Sequence, residues 1–166
     1  NLNFLNIIKL KSPFIEKTIY ESCKIKKDIV QKDEKEKNLR KILNFGHTFA
    51  HSYEAALGYS KNLNHGEAVI LGIKTALKFS LENKFLKKNV YNHIMKNLNI
   101  SLLPSSLNKY FTIKNLNKIL YFMEKDKKNN SDKIKLMLIK NIGGPIFAKE
   151  YSRNKLKKFL KKELIN

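Results

Sequence analysis

Apolar residues recur along the chain at spacings of three and four, a period that predicts helices rather than strands. The first helix starts at Ser12, an N-cap type, with Pro13 at the first helical position, where its missing N–H costs nothing. Its stripe runs through Ile15, Ile19, Cys23 and Val30, and Lys26 falls on the same stripe. On pattern alone that lysine snorkels to the surface along its apolar stem. Residues 31–38 are almost all charged or polar and predict a solvated connector. A second helix is expected over 39–57, closed by Gly58, whose tolerance of positive φ suits a helix end. A third begins at His65 or Gly66 and is apolar on most sides through Phe79, so it is expected to be buried.

Further helices are expected over 86–98 and 113–124, with Pro104-Ser105-Ser106 as the break between them. Residues 134–138 alternate in part and read as a strand, Gly143-Gly144-Pro145 as a turn, and 153–164 as a basic amphipathic helix. No internal repeat is present. The fold class is therefore mostly α, with at most a small two-stranded element.

Composition adjusts this picture only slightly. At 166 residues and 42% hydrophobic, the chain can bury one core, so a single domain over 1–166 is expected. No run of about 18 apolar residues could span a bilayer. One cysteine, Cys23, cannot form an internal disulfide and fits a reducing, cytoplasmic setting. The net charge of +20 would suit a nucleic-acid partner, but only Arg40 and Arg153 are arginines and no aromatics interleave with the lysines. A basic helical nucleic-acid-binding module is thus the weakest reading, and the lysine excess looks like compositional drift. The chain opens on Asn1, not methionine, and is expected to be a piece of a longer polypeptide.

Chemistry concentrates between Arg40 and Glu67. Arg40, Asn44, His47 and His51 follow one another at spacings of four, three and four, which on one helix places all four on one face. A guanidinium, an amide and two imidazoles make a poor core surface, because each buried polar group needs a partner, and a good site wall. Histidines four apart can share a metal, and His65-Gly66-Glu67 can bring another nitrogen from the start of the next helix. The remaining histidine, His93, has no polar companions and is expected to be structural.

The run from Asp33 to Arg40, then Leu43-Asn44-Phe45-Gly46-His47-Thr48-Phe49-Ala50-His51, then His65-Gly66-Glu67-Ala68-Val69, resembles the 3-dehydroquinate synthase family signature in order and spacing. The resemblance extends from about Ser12 to the C-terminus. It implies the helical C-terminal domain of a dehydroquinate synthase-like fold, with His47 and His65 as zinc ligands (or cobalt ligands) and Lys26, Arg40, Asn44 and His51 as substrate contacts. Lys127 or Lys128 is implied to add a phosphate or carboxylate contact. Under this reading Lys26 turns inward as a catalytic and substrate-binding lysine, and His51 is a proton handler or a phosphate contact. A substrate with both a carboxylate and a phosphate calls for several cationic and amide donors, and guanidinium grips a carboxylate in a fork that lysine cannot imitate.

The implied reaction converts 3-deoxy-D-arabino-heptulosonate 7-phosphate to 3-dehydroquinate plus phosphate in the shikimate pathway, with zinc as Lewis acid and NAD regenerated each turnover. The family's NAD-binding α/β domain and its zinc-binding carboxylate find no counterpart in this chain, which has no Gly-rich phosphate turn after a strand. The chain alone is therefore expected to be inactive, and the complete enzyme to be a homodimer. Glu67 or Glu54 could replace the missing carboxylate. Asn38 and Ala50 stand where the family usually has glycine, without touching a side chain assigned to chemistry. A sister sugar phosphate cyclase, or a metal-dependent alcohol or glycerol dehydrogenase, is the alternative; Lys26, Arg40 and Asn44 speak against the dehydrogenases, whose simple alcohols need no cationic cradle.

Overall fold

The computed structural model describes residues 4–99, 103–126 and 133–165. The chain is described as two compact units, Asn1–Leu43 and Asn44–Asn166.

In the first unit a short helix, α1 (Phe4–Ile8), precedes the long α2 (Phe14–Lys32). Helix α2 starts one residue later than Ser12-Pro13 predicts: Pro13 is the cap, and the Lys11 carbonyl accepts from the Phe14 and Ile15 amides. No residue of α2 is buried within the described chain, and Ile19 and Ile25 on it are exposed. The charged run after α2 is largely exposed, as a solvated connector should be, and it is also held in place. Asp33 ends the helix, and its carboxylate accepts the backbone amides of Lys37 (2.9 Å), Asn38 (2.7 Å) and Arg40 (3.0 Å). An ionised carboxylate has lone pairs enough for all three bonds, so it folds the run back on itself.

The second unit packs α3 (His47–Ala56), α4 (His65–Glu82), α5 (Lys88–Leu98) and α6 (Leu116–Glu124), then a hairpin of β1 (Lys133–Asn141) and β2 (Gly144–Ser152), then α7 (Arg153–Ile165). The strands pair antiparallel from Lys133 opposite Ser152 to Asn141 opposite Gly144, with irregularities between Leu136 and Leu138 and between Ile139 and Asn141. Ile134, Leu136 and Leu138 all point into the core, as the strand alternation predicts. They meet Phe49, Phe79, Leu120, Met123 and Leu160 there. The basic helix α7 buries Leu156, Phe159, Leu160 and Leu164, leaving its lysines for the outer face. Mostly helical architecture with one two-stranded element is thus what the hydrophobic pattern called for. Among the described residues no helix is long and apolar enough to cross a membrane.

The helix expected over 39–57 is two elements. A 3-10 turn covers Leu39–Asn44, and α3 begins only at His47. The cause is Gly46, which caps α3 in the left-handed conformation at φ +81°. A Cβ on Gly46 would lie 2.6 Å from the Ile73 backbone nitrogen of α4, so only glycine fits the break. Consequently Arg40 and Asn44 do not share a helix face with His47 and His51, and the single-stripe expectation is corrected.

Candidate functional site

Two helix ends of the second unit build the site. Helix α3 is closed by Gly58 (φ +68°), whose amide bonds to the Ala55 carbonyl at 3.1 Å while Tyr59 bonds to Glu54 at 2.8 Å, the doubled bond pattern of a Schellman end. The chain then returns to start α4 at His65, where the Glu67 carboxylate accepts the Asn64 amide at 2.8 Å. Behind this turn, buried Tyr53 of α3 donates to Thr75 of α4 at 3.0 Å, and Ala50 is completely buried. The extra methyl at Ala50 therefore packs in the core.

On the outer side of α3 and α4 three imidazoles converge. Ring centroids are 5.5 Å apart for His47 and His51, 6.1 Å for His47 and His65, and 6.2 Å for His51 and His65. Two imidazoles on one tetrahedral zinc, at about 2 Å from each nitrogen, have ring centres about 5 Å apart. The His47–His51 separation is near that span, and the two pairs that include His65 are about 1 Å wider. His47 Nδ1 lies 3.4 Å from the Phe45 carbonyl, and His65 Nδ1 lies 3.1 and 3.2 Å from the two carboxylate oxygens of Glu54. Rings held through Nδ1 would bind metal through Nε2. Among the described residues no set of three His, Cys, Asp or Glu side chains already converges as a metal cage. The Glu67 carboxylate caps the start of α4, and that of Glu54 lies against His65.

Of the other expected site residues, Asn44 ends the 3-10 turn three residues before His47 and is half-buried. Lys26 and Arg40 belong to the first unit: Lys26 is exposed, and the Arg40 guanidinium donates to the Glu34 carbonyl at 2.7 Å. Lys127 and Lys128 lie outside the described residues. His93 sits exposed on α5, with its backbone carbonyl accepting from Asn97 at 3.0 Å.

Two residues have contacts in the structure that the sequence reading did not give them: Glu54 was read there only as a possible replacement carboxylate, and Asp33 only as the start of the signature run. Glu54 follows His47 and His51 at seven and three residues, which on α3 puts it on the histidine face, and that spacing was the available signal. Asp33 had only its place at a helix end to mark it.

The mostly helical unit that carries this histidine triangle shares its fold with two solved structures of 2-deoxy-scyllo-inosose synthase. The crystal structure of 2-deoxy-scyllo-inosose synthase complexed with carbaglucose-6-phosphate, NAD+ and Co2+ superposes with a TM-score of 0.59 at 20% identity, covering 78% of this chain and 35% of that one. A second structure of 2-deoxy-scyllo-inosose synthase gives 0.57 at 19% identity, again over 78% of this chain and 34% of the other. The chain belongs to the 3-dehydroquinate synthase family: residues 2–129 match the 3-dehydroquinate synthase C-terminal domain. It is 57% identical over 164 residues to 3-dehydroquinate synthase of Pelagibacter ubique, covering 99% of this chain and 45% of that protein. With the enzyme of Endomicrobium trichonymphae it shares 44% over 129 residues, covering 77% of this chain and 34% of the relative. The chain thus spans less than half the length of these relatives.

Proposed function

We propose that this chain is the metal- and substrate-binding part of a 3-dehydroquinate synthase that takes 3-deoxy-D-arabino-heptulosonate 7-phosphate to 3-dehydroquinate and phosphate. The observation that carries the proposal is the triangle of His47, His51 and His65 in a chain of this family. His47 and His65 would hold zinc or cobalt, with the remaining ligand, a carboxylate, and the NAD supplied by a preceding α/β domain of the complete polypeptide. The bound metal would polarise substrate hydroxyls, and NAD would supply the transient oxidation and reduction.

The chain's own residues then bind and orient. Arg40 offers two parallel N–H donors to a carboxylate, and Asn44 can both donate to and accept from a hydroxyl. Lys26, Lys127 and Lys128 offer point charges suited to phosphate or carboxylate oxygens. His51, exposed beside the two proposed ligands, can donate a proton to the leaving phosphate or hold it by a hydrogen bond. The single cysteine, Cys23, is exposed and accords with a reducing cytoplasmic setting.

The test is phosphate release from the heptulosonate phosphate by the longest natural polypeptide containing this segment, with NAD and zinc present and then with zinc chelated. Zinc-dependent release is expected. No release from a polypeptide that carries the NAD domain would move the assignment to a sister cyclase.

A further inference from the structure

We propose that Glu54 is a positioning residue that fixes the ring of His65 so that its Nε2 faces the metal. The inference rests on the zinc reading above and adds to it a residue that does not itself touch the ion. Both carboxylate oxygens of Glu54 lie at 3.1 and 3.2 Å from His65 Nδ1. An ionised carboxylate can only accept, so Nδ1 carries the proton in this pair, and in a neutral imidazole the lone pair then resides on Nε2. That nitrogen is on the far side of the ring from Nδ1, turned away from Glu54.

The need for such a hold is visible in the exposures. The His65 side chain is 61% exposed and that of Glu54 only 12%. Packing cannot set the rotamer of a ring so open, and His65 is the first residue of α4, where no preceding helical turn crowds it. The hydrogen bond to a nearly buried carboxylate does what packing does not. Helix α3 thereby supplies one proposed ligand, His47, and the residue that aims the other. A purely structural account would have Glu54 stabilise the α4 N-terminus through its charge, which predicts a loss of stability and nothing about the ring.

The test uses the complete polypeptide. In the metal-free protein, ¹⁵N NMR of His65 should show the Nδ1–H tautomer, and in Glu54→Ala it should move to a mixture of the two tautomers. Zinc affinity, titrated against a competing chelator, should fall about 10- to 100-fold in Glu54→Ala. Glu54→Gln, whose amide oxygen still accepts from Nδ1, should lie between that variant and the parent. If Glu54→Ala unfolds early, Glu54→Met, which fills the same space without an acceptor, takes its place and should show the same losses. Parent-like zinc affinity and tautomer in the folded Ala or Met variant would overturn the proposal. A parent that binds no zinc while His65 still changes tautomer with Glu54 would overturn the metal reading, and Glu54 would then have no ligand to aim.

Discussion

Gly46 and Gly72 meet backbone to backbone: a Cβ on Gly72 would come within 2.2 Å of the Gly46 carbonyl oxygen, and one on Gly46 within 2.8 Å of the Gly72 carbonyl carbon. This contact brings the start of α3 against the middle of α4, and His47 follows Gly46 directly. Gly72→Ala must push the helices apart and should cost about 1–3 kcal/mol, as overpacking does. Gly46→Ala adds the strain of a left-handed non-glycine residue, roughly 1–2 kcal/mol more. Urea unfolding of the complete polypeptide measures both, and zinc affinity should weaken alongside because the spacing of His47 and His65 is set by the same contact.

His47→Ala removes a proposed ligand outright and should weaken zinc binding by about 100-fold or more, beyond the loss expected for a residue behind the ligands. Zinc content after dialysis, measured by atomic emission, checks this, and equal content in variant and parent would remove His47 from the ligand set.

Arg40→Ala should leave zinc bound and raise KM about 10- to 100-fold, the size expected for charge-assisted hydrogen bonds to a substrate carboxylate. Arg40→Lys should recover little, since a lysine cannot offer the fork. Steady-state kinetics with zinc content measured in parallel separates this role from metal binding.

Asp33 carries a pH dependence. Backbone bonds from Arg40 first and then Asn38, with a lesser one from Lys37, together hold its carboxyl below the ordinary aspartate value against the opposing effect of desolvation. A depressed carboxyl stabilises the fold above its unfolded pKa, and that contribution disappears as pH falls through the lower, folded value. The amides of Lys37, Asn38 and Arg40 should thus be protected from hydrogen exchange near neutral pH and lose protection only in acid below the usual carboxylate range. Asp33→Ala should abolish the protection at neutral pH, which two-dimensional NMR exchange rates would show.

Gly58 has open space around its Cα, so Gly58→Ala tests conformation alone. At φ +68° the methyl should cost roughly 1–2 kcal/mol, read as a lowered unfolding midpoint, with the histidine triangle otherwise intact.

Local order in the sequence determined a good deal of this protein. The 3.6-residue period of α4 and α7, the alternation of Ile134, Leu136 and Leu138, and the stop at Gly58 are each consequences of which side chains can face one core, and they hold in the structure. The motif residues His47, His51 and His65 were likewise legible, because their types and spacings are unsuited to a core. What spacing could not reveal is the break at Gly46. Residues 39–57 carry a helical pattern throughout; the break falls at Gly46, which is left-handed and packs its backbone against that of Gly72, 26 positions along. The role of Glu54 was hidden for the same reason, since a carboxylate on the histidine face can be ligand, cap or hinge until the fold brings His65 back against it at 3.1 Å. Spacing along a chain orders side chains on one element; only packing between elements decides which of them meet.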